Sequence, residues 1–265
     1  LLTGERQGYS ADFGSIGALA TTLRQAFFHA GTWSSFRRRR HGRPVEVMTT
    51  PAWRFLGYLQ DHDQIGNRAR GDRISATLST GLLKVGAALV LTSPFTPMLF
   101  MGEEWAASTP WQFFTAHPET RLGEVVAAGR RAEFAGHGWA GDDVPHPQGR
   151  ATYERSVLHF EEREKDPHAE VLDFYRRLIA LRRARAELTD PHLSRVEVRY
   201  DEQDRWLVVR RGSLAVVVNL AADRQTVPIN GRPQEMLLAS ERGFVYREGE
   251  VDLDGESVVV LVMTG

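Results

Sequence analysis

At 265 residues the chain is long enough to bury a large core or to divide into two domains. Its 33 Lys+Arg balance 34 Asp+Glu, so no global field draws it to nucleic acid or to an anionic membrane, and its substrate is expected to be neutral or locally recognised. The absence of cysteine excludes disulfides, thiol catalysis and cysteine metal sites, and suits a cytoplasmic protein. None of the nine histidines falls at a familiar metal spacing, so neither a metal nor another cofactor is expected. No apolar run reaches the roughly 18 residues that would cross a bilayer. The opening Leu1-Leu2-Thr3 lacks an initiator Met and a signal-like run, which predicts a fragment.

Residues 1–14 mix Gly, aromatic and charged residues without a period and read as a loop. Ser15 then caps a predicted helix over 16–29, with Ile16, Leu19, Ala20, Leu23, Ala26 and Phe27 at helical spacing. Residues 31–51 read as irregular. Their basic run Arg37-Arg38-Arg39-Arg40, beside Trp33 and Phe36, has the residue types of a phosphate grip, but a solvated loop pinned by its aromatics suits the near-zero net charge better.

The stretch 53–73, WRFLGYLQDHDQIGNRARGDR, begins as a buried-strand run and ends in a polar burst of Gln60, Asp61, His62, Asp63, Gln64, Asn67 and Arg68. In a parallel α/β barrel the active site lies at the C-terminal ends of the strands, so such a burst marks catalysis or substrate binding. The competing reading is an Asp and an Asn capping the next helix, although a cap needs fewer polar groups than this. Residues 79–91 are small and apolar, as in a helix packed on a sheet. Ser93-Pro94 and Thr96-Pro97 break that helix, and a second predicted strand, 98–101, ends in Gly102-Glu103-Glu104-Trp105. Strand, helix and strand over about 35 residues make one βαβ unit, with both polar ends on one rim.

Residues 106–149 form a long aromatic loop carrying Trp111, Phe113, Phe114, Phe134 and Trp139, with one helix near 122–134. Loops of this length are usually functional, and aromatic faces suit the C–H faces of sugar rings as well as they suit self-packing. A helix follows over 167–188. Beyond Thr189-Asp190-Pro191 the period becomes that of short strands, at 196–200, 206–210, 214–220, 225–229, 235–238, 243–246 and 257–263, predicting an antiparallel β-sandwich without a catalytic constellation.

FLGYLQDHD, then PMLFMGEEW, a terminal helix and a small β-domain together resemble the C-terminal half of the α-amylase superfamily of glycoside hydrolases. The resemblance implies an α/β plus β fold. Residues 1–192 would be the last two or three units of a (β/α)8 TIM barrel with its aromatic loop, and 193–265 a small antiparallel β-sandwich. It matches His62 and Asp63 to the His-Asp pair that ends the seventh barrel strand, and Gly102-Glu103-Glu104 to the end of the eighth. HDQIGNRARGDR, SPFTPMLFMGEEWAASTPWQFFTAHPE, GRRAEF and LLTGERQGYSADFGS are further similar to a trehalose-releasing branch of that superfamily.

That similarity implies a retaining glycosidase that cleaves the α-1,4 bond beside the trehalose end of a maltooligosyltrehalose. Asp63 would stabilise the transition state by hydrogen-bonding sugar hydroxyls, while His62 holds the same ring. Gln64, Glu103 and Glu104 would contact the leaving side, and Trp111 and Phe113 would form a wall of the site. The superfamily's nucleophilic Asp and acid/base Glu lie upstream of anything matched here, so the isolated chain is expected to be inactive. Asp61 and Ala116 depart from the pattern, standing where Asn and an acidic residue are usual. A glucan branching enzyme or amylase, and a non-catalytic sugar-binding half-barrel, are the alternatives.

Overall fold

The computed structural model describes residues 1–6, 10–135 and 144–264; Trp139 of the aromatic loop lies outside the described residues. The helices are α1 (Ile16–Gln25), α2 (His62–Gly66), α3 (Thr80–Leu91), α4 (Thr120–Ala135), α5 (Arg150–Arg155), α6 (His168–Ala184) and α7 (Ala186–Thr189). The first strands are β1 (Thr32–Ser34), β2 (Arg39–His41), β3 (Leu56–Gly57) and β4 (Thr96–Pro97). They are followed by β5 (Val196–Asp201), β6 (Trp206–Arg211), β7 (Leu214–Asn219), β8 (Gln225–Pro228), β9 (Pro233–Ala239), β10 (Val245–Arg247), β11 (Glu250–Leu253) and β12 (Ser257–Met263). The chain forms two compact units, one of residues 1–59, 78–98 and 173–265, the other of residues 60–77 and 99–172.

In the first unit, β5-β6-β7-β12-β9 form one antiparallel sheet and β10-β11-β8 a second. β7 (LAVVVN) and β12 (SVVVLVM) are apolar almost throughout because both of their faces are covered. Val217, paired with Val259, shares a core with Val227 and Val251 of the second sheet, and α3 packs against β12. Burying each such side chain is worth roughly 1.5–3 kcal/mol before chain entropy is subtracted. β11 was not anticipated by the sequence reading, and it supplies the central strand of the smaller sheet.

α3 starts where expected, with the Ser79 hydroxyl accepting from the Leu82 N–H at 3.1 Å. A half-buried arginine and a buried one, more than its prolines, organise its end. Arg182 donates to the carbonyls of Leu91, Ser93 and Phe95, and Arg211 to those of Thr92 and Asp190. Cations at this end complement the helix dipole and satisfy carbonyls that have no partner within the helix. Burial pushes the Arg211 guanidinium down to about 10, helped by the charge of Arg182 and opposed by Asp190.

Five local expectations change. The buried-strand run that opens 53–73 narrows to Leu56–Gly57, with Leu56 and Tyr58 exposed. α1 stops at Gln25 because Ala26 takes φ +68 and returns its N–H to the Thr22 carbonyl, so the predicted turn to residue 29 does not form. Residues 31–51 hold a hairpin, β1 paired with β2 as Thr32↔His41, whose exposed arginines gave no strand-like alternation. The 167–188 helix divides at Arg185 into α6 and α7. The second strand is Thr96–Pro97 instead of 98–101, since the pairing that fixes it is Thr96 N–H to the Phe55 carbonyl and Met98 N–H to the Gly57 carbonyl, both 2.9 Å. β3 and β4 are nonetheless parallel, Leu56 opposite Thr96, so the chain leaves both at the same end.

The second unit contains the segment 60–77, the segment from 99 onward, α4 and α5. Arg130 of α4 donates to the Gly66 carbonyl at 2.8 Å and lies over the rings of Phe113, at 4.3 Å, and Phe134, at 5.1 Å. Phe134 is also packed with Ala69 and Val144.

Candidate active site

All the residues singled out as site candidates fall in the second unit. Asp61 has extended backbone angles, and its Oδ1 accepts from the Gln64 N–H at 2.7 Å, which starts α2 at His62. The capping duty thus falls on Asp61 and not on Asp63. His62 and Asp63 occupy the first turn with most of each side chain open, His62 Nε2 lying 3.4 Å from Asp63 Oδ1. An exposed imidazole beside an exposed carboxylate offers adjacent donors and acceptors, the pattern that vicinal hydroxyls of a sugar match. Gln64 is exposed on the same turn.

The other candidates follow β4. Gly102 takes φ +87, and a Cβ there would come within 2.8 Å of Leu158 and 2.9 Å of Ala107, so only glycine fits this bend. Its N–H donates to Glu104 Oε2 at 3.0 Å, which turns that carboxylate back on its own loop. Glu103 is buried at 5% exposure, whereas Glu104 is half-buried. Trp111 stands between Phe100 and Phe114, edge-on to each at 5.5 and 5.3 Å, and Phe113 is the more open ring at 37% exposure. The structure thus pairs His62 with Asp63, gathers Trp111 into an aromatic row, and sets Glu103 inside the loop.

Arg73 was not singled out by the sequence reading. It is 3% exposed and donates through Nε to the Thr109 carbonyl at 2.7 Å and through Nη1 to the Met101 carbonyl at 2.9 Å, with its guanidinium 5.2 Å from the Phe100 ring. Burial pushes its pKa below the usual arginine value, and the charges of Glu103, Glu104 and Glu162 oppose that shift. Burial raises the Glu162 carboxyl, but the Ser108 hydroxyl and N–H hold it below the ordinary range. Further links join the two segments: Ser75 Oγ donates to the Ala107 carbonyl at 2.9 Å, and the Trp111 N–H to the Gly71 carbonyl at 2.7 Å. Nothing in RARGDR distinguishes the buried arginine from its neighbours; burial emerges only when the two segments meet.

Among the described residues no group of three or more His, Asp or Glu is placed to hold a metal ion, and no helix is long and apolar enough to cross a membrane.

A family model described as a domain of unknown function, DUF3459, matches residues 191–260. A malto-oligosyltrehalose trehalohydrolase of Mycobacterium tuberculosis is 52% identical over 260 residues, 98% of this chain and 44% of the relative. One of Arthrobacter ramosus is 54% identical over 94% of this chain and 41% of the relative. Among solved structures, a Salmonella typhimurium protein provisionally assigned as an alpha amylase superposes with TM-score 0.84 at 31% identity, covering 99% of this chain and 44% of that one. An isomaltulose synthase of Protaminobacter rubrum, 16% identical with TM-score 0.55 over 80% of this chain and 43% of its own, shares the fold alone. The chain spans less than half the length of these relatives. Over 94–98% of its own length the chain is thus similar to proteins named malto-oligosyltrehalose trehalohydrolase, of which it spans about 41–44%.

Proposed function

We propose that this chain is part of a cytoplasmic retaining glycosidase that hydrolyses the α-1,4 bond next to the trehalose end of a maltooligosyltrehalose and releases trehalose. The observation that carries this reading is the identity of 52–54% with proteins of that name across 94–98% of the chain. The same superposition that favours the fold reaches a provisional amylase at only 31% identity, so the trehalose-releasing reaction is preferred to general amylase or branching activity.

In this reading β3 and β4 are the last two strands of a (β/α)8 barrel, residues 1–192 complete that barrel, and 193–265 form a supporting β-domain. Asp63 hydrogen-bonds hydroxyls of the sugar at the cleavage position. Those bonds strengthen as the ring flattens toward an oxocarbenium-like transition state, which lowers the barrier without covalent attack by Asp63. His62, 3.4 Å from the carboxylate, shares the ring, and Gln64 reaches its neighbour. Glu103 and Glu104 shape the leaving side, while Trp111 and Phe113 offer faces to the glucan. The nucleophile and proton donor, about 5 Å apart in a retaining enzyme, come from the part of the relatives' length that this chain does not match.

The test is product analysis with the complete protein and purified maltooligosyltrehalose. Free trehalose is expected together with a maltooligosaccharide whose new reducing end first appears as the α-anomer. Glucose or maltose with no trehalose would contradict the reading, as would new branch points in an α-glucan.

A further inference from the structure

We propose that Arg73 is a positioning residue that holds the loop 101–112 in its substrate-binding shape, so that its loss weakens glucan binding more than it slows turnover. The inference rests on the glucan-hydrolase reading above and adds a residue to it.

Arg73 reaches both ends of a loop whose middle has few other anchors to segment 60–77. Its Nη1 holds the Met101 carbonyl immediately before Gly102, and its Nε holds the Thr109 carbonyl, two residues before Trp111. Between these points the chain passes through the Gly102 bend and a single helical turn ended by Ala106 at φ +55, closed on itself by the Ala106 N–H to the Glu103 carbonyl at 3.0 Å and the Ala107 N–H to the Gly102 carbonyl at 2.8 Å, so the Arg73 bonds tie the two flanks of this self-contained turn to segment 60–77. The guanidinium is a rigid fork that spans two carbonyls at once; an ammonium is a single point and satisfies one well. Beyond Thr109 the loop is fastened by Trp111 N–H to Gly71 and by Gln112 N–H to Ser156 Oγ at 3.0 Å, so the tether at Thr109 sets how the Trp111 and Phe113 rings are presented. Phe100, under the Arg73 charge, is itself the edge-on neighbour of Trp111, which links the same cation to the aromatic row by a second route. Arg73 touches neither Asp63 nor its helix cap in this arrangement, and the effect is therefore on the binding wall and not on the group that meets the transition state.

The experiment is Arg73→Lys in the complete protein, with Ser75→Ala as a milder variant that removes only the bond to the Ala107 carbonyl. The readouts are KM and kcat for maltooligosyltrehalose, affinity for maltoheptaose, and amide hydrogen exchange across 101–112. For Arg73→Lys we expect KM to rise about tenfold with kcat within about twofold, weaker maltoheptaose binding, and faster exchange at 107–112, with Ser75→Ala in between. A fall in kcat with KM unchanged would overturn the proposal, and so would unchanged exchange across the loop. A global failure of Arg73→Lys to fold would also overturn it, because a residue required by the whole fold does not act specifically through this loop. If the wild-type protein releases no trehalose, the reaction assignment falls, while maltoheptaose affinity and exchange still decide the role of Arg73.

Discussion

Lys84 Nζ lies 3.0 Å from Glu241 Oε1 and donates to the Ser240 carbonyl at 3.1 Å, although only 2% of the lysine side chain meets solvent. A buried ammonium is tolerated because these acceptors replace water, and α3 is thereby fastened to the end of β9. Removing the carboxylate while leaving the cation should cost more than removing the cation. We predict that Glu241→Gln lowers unfolding free energy by about 1–3 kcal/mol in urea titrations, whereas Lys84→Met, which keeps the volume without the charge, loses less. The reverse order would show that the ammonium itself carries the stability.

Acid sensitivity has a local source in Asp190. Burial raises its carboxyl, but hydrogen bonds from the His192 N–H and ring and from Arg195 outweigh that effect and hold it at about 2, against an ordinary 3.8. A carboxyl depressed by folding gives stability that is present above its unfolded pKa and is lost as pH falls toward the folded one. With the Asp190 side chain 24% exposed, solvent screening limits the gain to about 1 kcal/mol. Asp190→Asn should therefore flatten the stability profile between pH 4 and 2 relative to wild type, measured by thermal melts. An unchanged slope in that window would remove Asp190 as the cause.

The two aromatic candidates should separate. Trp111 is held by Phe100 and Phe114, so Trp111→Ala opens a cavity as well as removing a sugar platform, and is expected to lower stability by about 3 kcal/mol and raise KM. Phe113 is more exposed and is covered chiefly by the Arg130 guanidinium, so Phe113→Ala should raise KM severalfold with a smaller stability loss. Glucan affinity unchanged in both variants would leave the loop with a packing role alone.

How much of this was legible in the sequence differs from segment to segment. β7 and β12 were plain because covered strands have to be apolar on both faces, and α3 was plain because Ser79 caps a run that is small and apolar apart from Lys84. β11 was missed because EVDL is only four residues long, with its two apolar side chains between acidic ones. β4 was displaced because apolar content does not decide pairing, which depends on which carbonyls meet which amides; in MLFM the Met98 N–H closes the pairing with β3, and none of the four side chains is buried. The arginine run concealed the β1–β2 hairpin, whose side chains are mostly exposed and so carry no hydrophobic signal. At the candidate site, the polar burst was visible and the meeting of 60–77 with 99–112 was not. Hydrogen bonds such as Arg73 to Thr109 join residues far apart in sequence, and no local pattern announces them.

The central claim is that Asp63 serves the transition state. Asp63→Asn keeps the size of the side chain and removes a charge that responds to the developing oxocarbenium, so in the complete protein turnover should fall by at least about 100-fold, or about 3 kcal/mol, with KM changed far less. The decisive measurement is the rate of trehalose release from maltooligosyltrehalose by the wild-type and Asp63→Asn proteins at saturating substrate. The account predicts a large loss of kcat in a folded variant that still binds the glucan; near-wild-type kcat would contradict it.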